Sequence, residues 1–225
     1  MKKAMIGAFV AMTLGAYASV DTNALATVIA QANAGDPRAE TYIATCYMRG
    51  VGVKMDMAKA VQLFRSAADK GYAGAQNNLG YCYANGIGVA TDDAEAVKWW
   101  KLAAEQGLPE AEFWLGASYR DGKGVEKDLA KAKHWLRLAA EKDFTPNGLT
   151  RDSLEQIRTA AERGDVASQT YLAGCYARGI LVPLDYDEAL KWFRRAAILG
   201  DEKAKEAVRR LEQEKATTDK GLGGE

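Results

Sequence analysis

Three cysteines, one histidine and a recurring set of glycines, tryptophans and aspartates are the residues of this chain that could carry chemistry. A thiolate beside an imidazole would make a nucleophile, and cysteines grouped with histidine would make a zinc site. The spacing supplies neither. Cys46, Cys82 and Cys175 fall at equivalent places in a repeated pattern, and Ser118 takes that place in the remaining copy. Equivalent positions on stacked helices lie ~8–10 Å apart, whereas a disulfide needs Cα atoms within ~7 Å. The three thiols therefore read as small buried packers, and no disulfide is expected. His134 shares its place with Gln62, Lys98 and Lys191, an exposed helical position. No catalytic residue, metal ligand or cofactor is assigned.

Two further patterns invite a chemical reading. Gly50-Val51-Gly52-Val53, Gly86-Ile87-Gly88-Val89 and Gly122-Lys123-Gly124-Val125 resemble phosphate cradles, but they lack the P-loop lysine and the strand before it. They read as helix-ending turns. Trp99-Trp100, Trp135 and Trp192 suggest a sugar or cofactor platform, yet they fall on the inward face of a helix and read as core.

The elements that position these residues come from one unit written four times. AETYIATCYMRGVGVKMDMAKAVQLFRSAADKG runs from Ala39 to Gly71, and related copies end at Gly107, at Asp143 and at Gly200. A fixed period in this range means stacked supersecondary units. Each unit supplies two helices. In the first, Ala39, Tyr42, Ile43, Cys46 and Tyr47 fall at i, i+3, i+4, i+7 and i+8, one apolar face. Tyr47, Tyr83, Tyr119 and Tyr176 share one column, and Ala44, Gly80, Gly116 and Ala173 keep another small. Gly50, Gly86, Gly122 and Gly179 end the first helix in the left-handed conformation. Asp56, Asp92, Asp128 and Asp185 cap the second, and Glu95 and Glu188 complete capping boxes. The fold expected is all-α, a right-handed α/α solenoid of antiparallel helix pairs.

Lys plus Arg and Asp plus Glu are equal at 30 each, so no global field points to nucleic acid or to an anionic membrane. Met1-Lys2-Lys3, the apolar run Ala4 to Leu14 and Ala16-Tyr17-Ala18 have the layout of a cleavable signal peptide, residues 1–18. The apolar run is too short for a membrane anchor, which needs ~20 residues. The expected destination is the periplasm, with secretion as the alternative.

The register breaks once. The first sub-array covers residues 19–143, an opening helix and three pairs; a linker or kink occupies 144–151. The second sub-array, 152–215, begins with a helix from Leu154 to Arg163 capped by Asp152 and Ser153. Leu154, Ile157, Ala161, Gly164 and Asp165 match Leu25, Val28, Ala32, Gly35 and Asp36 of the opening helix. One pair and a final helix ending near Lys215 follow, then a disordered tail, 216–225.

The second copy carries Ala75, Leu79, Gly80, Tyr83, Gly86, Gly88, Val89, Asp92, Ala96, Trp99, Ala103, Ala104 and Gly107. That pattern resembles the Sel1-like repeat, a relative of the tetratricopeptide repeat, and the resemblance covers about Ala39 to Gly200. It implies an adaptor that binds protein, since exported bacterial members act in signalling, envelope assembly, host interaction and immunity to secreted toxins. Cysteine-rich members described as β-lactamase-like pair cysteines within each repeat, which this chain does not.

If the first helices line a concave groove, as the resemblance implies, the columns opposite the packing stripe are the contact candidates. Met48, Asn77, Tyr81, Phe113 and Arg120 are the candidates chosen, with Tyr81 and Phe113 expected as an exposed apolar patch. The function expected is a non-catalytic periplasmic scaffold. One form is an immunity protein neutralising a toxin delivered by a type VI system, a phospholipase for example. The alternative is a regulator or envelope-assembly adaptor, and a cell-wall or β-lactamase-like enzyme stands last. Its partner is expected to be a toxin or envelope protein, not nucleic acid, metal or membrane.

Overall fold

The computed structural model describes residues 22–222, so the expected signal peptide and residues 223–225 lie outside them. Among the described residues there are eleven helices and no strand. They are α1 Thr22–Asn33, α2 Pro37–Arg49, α3 Met57–Asp69, α4 Ala73–Asn85, α5 Asp93–Glu105, α6 Pro109–Asp121 and α7 Leu129–Glu141. Then come α8 Arg151–Glu162, α9 Val166–Arg178, α10 Tyr186–Ile198 and α11 Glu202–Leu222. Two compact units divide the chain, one ending at Ala139 and the other starting at Ala140, a few residues before the linker expected at 144–151.

In the first unit, α2–α3 and α4–α5 are helix pairs whose first and second members are called A and B below, with α6 and α7 as the third A and B. The small column explains their close approach. A Cβ added at Gly80 would lie 2.8 Å from Trp100, and one at Gly116 would lie 2.8 Å from Leu136. Ala44, Phe64, Ala67, Leu79, Trp100 and Leu115 join the core that results. Leu25 and Ala32 of α1 pack with Ala39, Ile43 and Cys46 in a second cluster at the N-terminal end.

The turn between A and B is held by one repeated device. Gly50, Gly86, Gly122 and Gly179 adopt φ near 68°, from 67° to 69°, and close the A helix. Six residues later the aspartate side chain accepts from the backbone three residues on: Lys59, Glu95, Lys131 and Glu188 N–H. Its own N–H donates to the carbonyl of the tyrosine column, Asp56 to Tyr47, Asp92 to Tyr83, Asp128 to Tyr119 and Asp185 to Tyr176. That bond corrects the expected capping boxes. The cap N–H is already satisfied, so Glu95 instead accepts from Trp99 Nε1 and Lys98, and Glu188 accepts from Lys191.

The second glycine of the loop has a separate cause. A Cβ on Gly124 would lie 2.1 Å from the Asp93 carbonyl oxygen, at the start of the preceding B helix. Only a residue without Cβ fits there. In the fourth copy the corresponding residue is Leu181, which keeps a positive φ of 57° and is buried.

The second unit contains one complete pair, α9–α10, with α8 and α11 against it. Helix α8 starts at Arg151, earlier than the sequence suggests, because Thr150 is the extended residue whose hydroxyl accepts from Ser153 N–H. Asp152 therefore sits in the first turn. At the far end α11 continues to Leu222 instead of stopping near Lys215, through Ala216 to Lys220, a stretch without glycine or proline. Asp201 caps it, as Asp36 and Asp165 cap α2 and α9. In register α11 takes the place of a fifth A helix. Arg209 stands in the small column and Glu212 in the tyrosine column, where Glu212 pairs with Arg194 at 2.6 Å. A charged residue in place of glycine or alanine leaves less room there for close helix approach.

Candidate partner-binding site

The candidate contact residues do not form an exposed patch. Tyr81 is 6% exposed and Phe113 and Asn77 are each 5% exposed. Tyr81 lies with its ring centroid 6.5 Å from Trp114, Phe113 meets the same indole edge-on at 5.3 Å, and Trp114 stacks on Trp100 at 5.9 Å. Met48 is half-buried against the core. The Arg120 side chain is only 15% exposed, and its guanidinium grips both carboxylate oxygens of Asp121 at 2.7 and 2.8 Å. The physical reason is geometric. An internal A helix has its own B helix on one side, the preceding B helix on another and the next A helix on a third. Columns that vary between copies are therefore partly contacts between unlike neighbours, as Tyr81 on α4 and Trp114 on α6 show.

Three of the four column tyrosines meet basic side chains of B helices. Lys59 lies over the Tyr47 ring at 4.5 Å and Lys131 over Tyr119 at 5.3 Å, while Arg65 donates to the Tyr83 hydroxyl. The two lysine contacts are favourable cation–ring contacts within a pair, whereas Arg65 joins the B helix of the first pair to the A helix of the second. The thiols are sheltered. Burial pushes the Cys82 thiol up to about 12 and the Cys175 thiol up to about 11. Cys46 is raised as well, by burial, against opposing effects of Tyr42 and Arg49. His134 is exposed, its ring edge against Trp135 at 5.1 Å. Among the described residues no three His, Cys, Asp or Glu side chains converge as metal ligands.

One column escapes sequence reasoning. Glu40, Gln76, Glu112 and Gln169 share one column of the A helices and are all buried. Gln76 Nε2 donates to the Ala68 carbonyl at 3.2 Å and Gln169 Nε2 to the Ala161 carbonyl at 3.0 Å, at the ends of α3 and α8. Glu40 instead accepts from Ser66 Oγ at 2.8 Å and Lys70 Nζ at 2.7 Å on its own B helix. The signal was present as Ala-Glu, Ala-Gln, Ala-Glu and Ser-Gln at matching places.

The second missed feature is α8. Gly164 aligns with Gly71, so Leu154, Ser153, Ile157, Ala160 and Ala161 align with Val61, Ala60, Phe64, Ala67 and Ala68 of α3. Helix α8 is thus a B helix without an A partner. Leu154 and Ala161, which face α9, are buried, but Ser153, Ile157 and Ala160 are half-exposed where α3 buries all three counterparts. An open groove of about 770 Å³ runs along this face past Asp152, Gln156, Thr159, Ala160 and Arg163.

An all-α array of 36-residue helix pairs, whose repeating residues serve packing, turn and cap, defines a helical-pair repeat protein related to the tetratricopeptide class. The chain belongs to the Sel1 repeat family: the Sel1 repeat model matches residues 37–72, 73–108, 109–144 and 166–201. Proteins of this family generally mediate protein–protein interaction and are typically non-catalytic scaffolds. The chain is similar to a solved protective antigen of uropathogenic Escherichia coli with an SLR fold, at 32% identity and a TM-score of 0.57. That match covers 100% of this chain and 50% of the E. coli chain, so this chain spans half the length of that relative. It is also similar to a Sel1 repeat protein from Oxalobacter formigenes, at 30% identity and a TM-score of 0.56, over 91% of this chain and 86% of that one. No curated protein sequence matches it significantly. No helix among the described residues is long and apolar enough to cross a membrane.

Proposed function

We propose that this chain is an exported, non-catalytic scaffold that binds a protein partner in the periplasm, and that it acts as an immunity protein against a secreted toxin. The observation that carries the reading is how the polar and reactive groups are used. The aspartates cap helices, the glycines close turns, and the cysteines are buried with their protons retained. No repeated residue is left over for turnover, while the face of α8 that an A helix would cover lines an open groove. The basic start, apolar run and Ala16-Tyr17-Ala18 support export. A relative described as a protective antigen is in keeping with that destination.

The test is protection. An effector encoded beside this gene, directed to the periplasm of a host cell, should kill it; co-expression of this chain should restore growth. A chain without residues 1–18 should not protect. Affinity purification from the periplasm should recover the same effector at fixed stoichiometry. Recovery of an envelope or signalling protein with no protection would replace immunity by the adaptor role. Hydrolysis of nitrocefin or peptidoglycan by the purified chain, abolished by one substitution, would overturn the scaffold reading.

A further inference from the structure

We infer that the uncovered face of α8 is a docking groove for one amphipathic helix of a partner protein, seated antiparallel to α8 as an A helix sits on its B helix. This rests on the reading of the chain as a protein-binding scaffold. The groove keeps the chemistry of a B helix that has lost its A helix. In the first pair the buried carboxylate of Glu40 is held by Ser66 Oγ at 2.8 Å and Lys70 Nζ at 2.7 Å. On α8 the same two places hold Thr159 and Arg163, both lining the groove. The Thr159 hydroxyl now donates to the Glu155 carbonyl at 3.0 Å and reaches an incoming carboxylate by rotation about one bond. Arg163 forms no ion pair among the described residues and offers a fork of donors.

At the other end the charge is opposite. Lys59 and Lys131 lie over the tyrosines of their A helices at 4.5 and 5.3 Å, but the corresponding residue of α8 is Asp152, with Glu155 one turn on. A helix fitting this face therefore carries a carboxylate near its start and a basic residue two turns later. That order also suits the helix dipole. Between them Ala160, half-exposed where Ala67 and Ala103 are fully buried, leaves room for close approach. The incoming helix needs an aliphatic residue and then a small one at the places of Ile43 and Ala44. The partner motif is Glu, then aliphatic, small and basic residues three, four and seven positions on.

The other unpaired B helix shows the contrast. Helix α1 carries exposed Gln31 in the column of Ala160 and Ala34 in that of Arg163. It has neither the small residue nor the cation of the α8 groove.

The probe is a synthetic peptide of residues 36–50 carrying Cys46→Ser and Tyr47→Lys, which presents Glu40, Ile43, Ala44 and a lysine in the required order. It is titrated against the full chain, labelled with ¹⁵N and isolated as the cell processes it, with amide shifts as readout. Shifts should concentrate on residues 151–163. Arg163→Glu should weaken binding about tenfold or more, and a Glu40→Lys peptide should recover binding to that variant. Ala160→Trp should abolish binding while leaving the rest of the spectrum in place. Shifts elsewhere, absence of binding, or equal affinity for Ala160→Trp and Arg163→Glu would overturn the groove. If Arg163→Glu still captures the natural partner, the groove is wrong and the scaffold reading stands. If the unaltered chain captures none, the scaffold reading itself falls.

Discussion

Glu40 and Lys70 form an ion pair at 2.7 Å across the first helix pair, with the Glu40 side chain only 7% exposed and the Lys70 side chain 38% exposed. The asymmetry decides the energetics. Lys70 is partly in water and also donates to the Gly35 carbonyl at 2.9 Å, whereas the buried Glu40 carboxylate accepts only from Ser66 and Lys70.

Lys70→Ala should therefore cost more than Glu40→Gln. Removing the ammonium leaves a buried carboxylate with Ser66 alone, a loss of about 1–2 kcal/mol once solvent screening is allowed for. Glu40→Gln keeps an acceptor for Ser66 and should cost less. Urea unfolding of the two single variants and the double variant gives the coupling directly. Equal and additive losses would mean that the pair contributes nothing specific.

Gly124→Ala should be among the most damaging single methyl additions. It combines a φ of 71° with a Cβ 2.1 Å from the Asp93 carbonyl oxygen. Backbone strain and overpacking together predict about 3 kcal/mol of destabilisation. Gly148→Ala is the control, with the same φ of 71° and nothing within 4 Å of the added carbon. Thermal melts should separate the two clearly.

The thiols should be silent in the native state. With Cys82 at about 12 and Cys175 at about 11, almost no thiolate exists at pH 8. Reaction with an aromatic disulfide reagent should be negligible until denaturant is added, when three thiols should titrate. Rapid native reaction at Cys82 would show that its site opens locally.

Asp201 governs part of the acid limb of stability. The Thr170 hydroxyl, at 2.6 Å, and then the Ala204 and Lys203 amides hold its carboxyl below the usual range. A depressed folded value means that the stabilisation is present above the unfolded value, about 3.9, and is lost as pH falls through the folded one. Asp201→Asn should thus lower stability near pH 6 and flatten the decline below about pH 4. An unchanged acid limb would remove Asp201 from the account.

What was legible in the sequence is what depends on near neighbours along the chain. The aspartate caps, the left-handed glycines and the small column are set by offsets of a few residues, so Asp92, Gly86 and Gly80 could be read directly. The capping boxes were half legible, because the Asp92 N–H goes to the Tyr83 carbonyl, a bond fixed by the shape of the whole turn. Tyr81 and Phe113 were misread because their burial depends on Trp114, whose position follows from stacking rather than from one helix. The open face of α8 had a sequence signal, Ala160-Ala161 before Gly164 as Ala67-Ala68 precede Gly71. Its meaning needed the observation that Ala160 is left half-exposed.

Hydrogen exchange on the complex with the partner recovered from the periplasm tests the central claim most directly. Amides and contacts in residues 151–163 should gain protection on binding, while α4 and α6, already buried on nearly all sides, should change little. Protection centred on Asn77, Tyr81 and Phe113, or no change along α8, would contradict the account.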